Sequence, residues 1–155
     1  MANFAQALTL LNDFNISNIE YLGIQRKFFP KWEGWDIIDN YQIPEYKLVS
    51  DFYNVFFWSK LKGDLIYNQD LANLLFIFSI TNGKRKTIDK LDRVFGTYSN
   101  GVMNNEMINL INSSDINFLF MYMYAELCEF CIMLDKKKDF CKLLKIYNSF
   151  VSNLK

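Results

Sequence analysis

The side chains able to do chemistry are few and fall in separate places. Cys128, Cys131 and Cys141 occur in a chain with no histidine. The first two form a C-x-x-C pair one helical turn apart in an apolar run, where cysteine behaves as a small hydrophobe. A zinc centre wants a fourth ligand and a turn on which the ligands converge. No metal or other cofactor is therefore expected, and reduced thiols fit a protein folded in the cytoplasm. A second group lies in KLKGDLIYNQDLANLLFIFSITNGKRKTIDKLDRVFG, residues 60–96. Asp64, Asn68, Gln69 and Asp70 open its helix, where such groups cap free amides and complement the helix dipole. Lys84, Arg85 and Lys86 read as a solvated basic turn, with an anionic partner as the alternative.

The elements that must position these residues are helical. Phe4, Leu8, Leu11 and Phe14 form one apolar stripe on a first helix. Between Tyr46 and Leu61, the positions Leu48, Phe52, Val55, Phe56 and Trp58 are too aromatic for an exposed helix. The run Asp70 to Ile80 stops at Thr81-Asn82-Gly83, and a further amphipathic helix carrying Thr87, Ile88, Leu91, Val94 and Phe95 stops at Gly96. After a turn at Ser99-Asn100-Gly101, helices are expected near Asn104 to Ile111, Asp115 to Leu134 and Asp139 to Asn153, with Asp115 capping the second of these. Asn15 to Glu45 holds Gly23, Pro30, Gly34, Pro44, Trp32 and Trp35 without a long period, and reads as loops and short helical turns. No repeat, low-complexity tract or linker divides residues 1–155, so one all-α domain of six to eight helices is expected.

Composition narrows the partners. Of 155 residues, 51% are hydrophobic, enough for a substantial core, and 17 basic side chains balance 17 acidic ones. That balance leaves no basic face for a phosphate backbone, so nucleic acid is not expected. The N-terminus MANFAQALTLLNDF has no basic residue before its apolar part and does not read as a signal peptide. INFLFMYMYAELCEFCIML, residues 116–134, is long enough to span a bilayer, but Glu126 and Glu129 would be costly in lipid. A buried central helix is expected there instead of a transmembrane segment.

GIQRKFFPKWEGWDIID (23–39) and FYNVFFWSKLKGDLIYNQDLANLLFIFSITNG (52–83), with weaker continuations in KLDRVFG and NGVMNNEMINLIN, resemble the phage and bacterial N-acetylmuramidases of the secretion-activator, lysozyme-like type. Those enzymes carry a Gly-Ile pair, a Tyr/Phe-Pro segment and a Trp followed by Lys-Gly-Asp. The resemblance covers most of the chain and implies a lysozyme-like domain acting on peptidoglycan glycan. Glycosidic cleavage needs an acid to protonate the leaving oxygen, and usually a second carboxylate.

In that family the acid is a Glu followed by two Gly, and Asn15 falls at its position here. Ile77, Thr81, Asp92 and Asn104-Asn105 likewise stand where the family has Asp, Asn, Gln and Gly-Pro. The resemblance therefore implies a degenerate, inactive copy. Such a protein would be a structural or peptidoglycan-contacting component of a phage virion or phage-derived machine. Its partners would be the glycan or virion, tail or secretion-machine proteins. Synthesis in a bacterial cytoplasm would be followed by incorporation into a virion or delivery to the envelope. Glu20, near the family's cleft-facing Thr, is the candidate base or nucleophile of an active alternative, with Asp13 as its partner. A third possibility is an inhibitor or immunity-like protein. Phe28, Phe29, Trp32 and Trp35 are the candidate contacts to sugar or protein, with core packing the competing role.

Overall fold

The computed structural model describes residues 1–13, 20–133 and 137–153, and the side chains of these except at 12, 13 and 137–142. The described residues are all-α: eight α-helices and no strand beyond an isolated bridge between Tyr21 and Ile24. In chain order they are α1 (Phe4–Asp13), α2 (Gly34–Asp39), α3 (Tyr46–Tyr53), α4 (Gln69–Asn82), α5 (Lys84–Phe95), α6 (Asn105–Ser113), α7 (Ile116–Met133) and α8 (Lys137–Ser152).

The hub is α4. It is apolar all round, and Leu71 through Ser79 are buried, as expected for a helix with neighbours on every side. It touches α1, α5, α7 and α8. Its start is fixed by Asn68, whose side chain accepts from Leu71 N at 2.8 Å. Gln69 reaches back to the N-terminal segment, accepting from Asn3 N at 2.6 Å and donating to Asn3 O at 3.1 Å. Asp70 is buried and accepts from Ser149 Oγ at 2.9 Å and Asn153 Nδ2 at 2.7 Å, which fastens the end of α8 to the start of α4.

Helix α5 ends as its Gly96 anticipates, at φ +65. Asp92 closes the following turn by accepting from Thr97 Oγ1 at 2.8 Å, Ser99 N at 3.0 Å and Ser99 Oγ at 2.7 Å. Burial would raise this carboxyl's pKa, but the Ser99 and Thr97 hydrogen bonds outweigh it and hold the group below the ordinary range. Asp115 caps α7, accepting from the amides of Asn117 and Phe118 at 2.8 and 3.1 Å.

Two expectations change. The segment 46–61 is not one α-helix: α3 passes into a π-helical turn (Asn54–Trp58) and then a 3₁₀ turn (Ser59–Leu61). Through this wider turn Phe57 and Trp58 are buried, while Val55 is 55% exposed and Phe56 also faces outward. Helix α7 is less enclosed than its composition implies. Leu119, Phe120, Met123, Leu127 and Cys131 form its buried stripe, and 28% of the span is buried. By length and composition alone it is the one described helix able to cross a membrane. Its Glu126 is paired with Lys90 of α5.

Candidate functional site

Residues 28–35, between α1 and α3, are built on aromatic rings. Trp35 Nε1 donates to Phe29 O at 2.7 Å, which folds residues 29–35 into a compact turn. Trp32 and Trp35 pack edge to face with centroids 5.0 Å apart. A glycine is required at 34 because a Cβ there would lie 2.3 Å from the Trp32 ring. Both tryptophans are buried. Phe29 is half-buried, with its ring against Phe52 at 4.7 Å and Phe56 at 5.2 Å, whereas Phe28 is 62% exposed.

Residues 20–26 form a tight turn that rests on α3. Tyr21 and Ile24 exchange backbone hydrogen bonds at 3.3 and 2.9 Å around Leu22 and Gly23, both at positive φ. The Tyr53 hydroxyl donates to Leu22 O. Glu20 is exposed, at φ +50, and its carboxylate accepts from Arg26 N across the turn. The Arg26 guanidinium also grips Asp39 with hydrogen bonds of 2.6 and 3.0 Å and lies 4.7 Å from the centroid of the Trp35 ring. That hydrogen bond holds the Asp39 carboxyl below the ordinary carboxylate range.

Two concavities flank the Phe28-Phe29 pair. The larger, about 610 Å³, runs over Phe29, Trp32, Phe52, Val55 and Phe56, with Lys31, Glu33 and Asp51 at its rim. The second, about 370 Å³, lies between the 20–26 turn and the end of α4. Gly23, Gln25 and Tyr53 form one side of it, Phe28, Phe29 and Phe57 supply apolar wall, and Ser79 to Lys84 form the other side. Among the described residues no Asp or Glu lines this second cleft. Its charged group is Lys84, which is half-buried with Nζ 5.7 Å from the centroid of the Phe57 ring. Burial lowers the Lys84 pKa, and the neighbouring Lys60 ammonium lowers it further. Among the described residues neither buried Asn82 Oδ1 nor buried Trp32 Nε1 has a hydrogen-bond partner.

Phe28 and Phe29 thus line both concavities, Trp32 lines the larger, and Trp35 braces the turn beneath Arg26. Glu20 is engaged with the backbone of its own turn. Asp13 is the last residue of α1 and its side chain lies outside the described residues, as does Asn15 altogether. Ile77 is wholly buried in the core, so no cleft group stands there; Thr81 lines the cleft but donates its hydroxyl hydrogen bond to the α4 backbone. Of the basic trio, Arg85 and Lys86 are exposed, and Lys84 is not the solvated residue its neighbours imply. Tyr53 and Asn82 were not singled out by their spacing as lining residues. The Gly83 break after Asn82 was the available signal. Among the described residues no three His, Cys, Asp or Glu side chains are grouped to hold a metal ion. The Cys128 thiol is pushed up by burial, against a hydrogen bond from Tyr124.

Among the described residues the fold is helical with two aromatic concavities, the larger bearing Lys31, Glu33 and Asp51 and the smaller bearing Lys84 and no acid. Comparison with protein-family models, curated proteins and solved structures yields no match to the chain.

Proposed function

We propose that this chain is a degenerate copy of the lysozyme-like N-acetylmuramidase scaffold that contacts peptidoglycan, or a virion, tail or secretion-machine protein, without cleaving glycan. The observation that carries this reading is the absence, among the described residues, of any carboxylate from the lining of the cleft between the 20–26 turn and α4. Gly23 of the Gly-Ile pair lines that cleft, and in the resembled family the Thr shortly before the pair faces the substrate. Cleavage there would require an acid at the leaving oxygen. Amides, hydroxyls, aromatic rings and one lysine can bind, but none is a carboxylic acid. Glu20, the nearest candidate in sequence, has a structural task in closing its turn. The Lys62-Gly63-Asp64 segment of the resemblance also serves the fold: Asp64 Oδ1 accepts from the buried Trp58 indole at 2.8 Å, and Gly63 leaves room for that ring. Synthesis in a bacterial cytoplasm followed by incorporation into a virion, or delivery to the envelope, accords with a non-catalytic contact role.

Co-sedimentation with purified sacculi tests the contact. The folded protein should pellet with the sacculi and remain soluble without them. Failure to pellet, together with co-purification with virion or secretion-machine proteins, would move the partner from the wall to the assembly. A stable stoichiometric complex with an active lysozyme would favour the inhibitor alternative instead.

A further inference from the structure

Two polar groups at the α4 end of the 370 Å³ cleft are unmatched. Lys84 is half-buried and, among the described residues, has no carboxylate within salt-bridge range; the ring it lies against is Phe57, and the neighbouring charge it feels is that of another cation, Lys60. Asn82 Oδ1 is a buried acceptor with no donor among the described residues. Only Gly83 separates the two residues, and both line the same cleft. Removing a cation from water without a counter-charge is unfavourable, as is burying an acceptor unpaired. The free cleft carries both costs.

A ligand that relieves both must bring an anion and an N–H or O–H donor in one small molecule, and Phe28, Phe29 and Phe57 require an apolar group beside them. A neutral sugar can answer Asn82 but leaves Lys84 unpaired. A fully ionised phosphate can answer Lys84 but offers Asn82 no donor. A peptide ending in a free carboxylate meets all three demands: the carboxylate pairs with the ammonium, the preceding amide N–H is a donor, and a small side chain packs on the rings.

We propose that this cleft binds the free carboxylate terminus of a short peptide, with the carboxylate on Lys84, the adjacent amide N–H on Asn82 Oδ1, and a small apolar side chain against the phenylalanine wall. The inference rests on the peptidoglycan reading in one respect, namely the source of the peptide, which in the wall is the end of a stem peptide. Peptidoglycan contact would then run through the peptide as well as the glycan.

The test is a titration of the ¹⁵N-labelled full chain with N-acetyl-D-alanyl-D-alanine, its C-terminal amide, and N-acetyl-L-alanyl-L-alanine, followed by amide chemical shifts. The D,D acid should shift the backbone amides of Gly23 and of residues 81–84 saturably, and its amide should bind about tenfold or more weakly. Lys84→Gln should reduce binding of the acid to the level of the amide, Lys84→Arg should keep most of it, and Asn82→Ala should weaken both probes. Unchanged thermal unfolding of each variant guards against loss of fold. Equal binding of acid and amide would overturn the proposal, as would shifts confined to other residues or no saturable shift by the wild type. Tighter binding of the L,L acid would overturn the stem-peptide source and point to a protein C-terminus. Sedimentation with sacculi without dipeptide binding would sink this inference and leave the contact reading intact. Dipeptide binding without sedimentation would do the reverse.

Discussion

Replacing Gly63 by alanine asks whether the Lys62-Gly63-Asp64 segment belongs to the fold or to a reaction. A Cβ at position 63 would lie 2.3 Å from Trp58 Cε2 and 2.4 Å from Cδ2, against an ordinary carbon contact of about 3.5–4.0 Å. Trp58 is 1% exposed and packs against Phe76 and Phe4 with centroids 5.7 and 5.8 Å away, so the ring has nowhere to retreat. Overpacking of this kind costs about 1–3 kcal/mol. At this chain length about 2 kcal/mol corresponds to roughly 4–8 °C in Tm. Asp64→Ala removes the acceptor of the Trp58 indole and should cost about 1–2 kcal/mol. Asp64→Asn keeps an acceptor oxygen and should cost less than about 1 kcal/mol. Urea unfolding followed by tryptophan fluorescence reads all three. The reasoning is refuted if Gly63→Ala is as stable as the wild type, or if Asp64→Asn loses as much as Asp64→Ala.

Further predictions concern the polar groups that hold the helices together. Asp70→Ala deletes the acceptor for Ser149 and Asn153. It should destabilise by about 1–3 kcal/mol and speed hydrogen exchange in the last turns of α8 before the rest of the chain. Because the folded pKa of Asp92 is lowered, its contribution to stability is present above the unfolded carboxyl pKa of about 3.9 and is lost as pH falls through the lower folded value. The stability gap between wild type and Asp92→Asn, measured by urea titration, should therefore be widest near neutrality and close in acid. Lys90→Met leaves Glu126 of α7 without its cation in a partly buried place. A loss of about 1–2 kcal/mol is expected, smaller in the double variant with Glu126→Gln, as a double-mutant cycle would report.

Much of the helical frame was legible because its signals are local. Asn68 and Asp115 cap where capping residues should, and Gly83 and Gly96 end their helices at positive φ. The π turn was not legible, since nothing in the spacing of residues 46–61 marks a change of helical pitch, and Trp58 packs on Phe76, a partner distant in sequence. Leu22, Tyr41 and Lys62 also take positive φ without being the glycine or asparagine that usually marks it. At the site, the aromatic character of residues 28–35 was legible, but which ring would stay exposed was not, because burial of Trp32 and Trp35 depends on Phe52 and Arg26. Lys84 read as solvated for the same reason: the ring that covers it, Phe57, lies 27 positions earlier. Glu20 read as a chemical candidate by type, and its engagement with Arg26 N follows from a turn that no local pattern announced.

The central claim is contact without cleavage, and muropeptide release from purified peptidoglycan tests it most directly. The folded protein at high concentration, beside an active lysozyme as control, should release no muropeptides, and Glu20→Gln and Asp13→Asn should behave as the wild type does. Release by the wild type that disappears in Glu20→Gln would contradict the account and make Glu20 a catalytic residue.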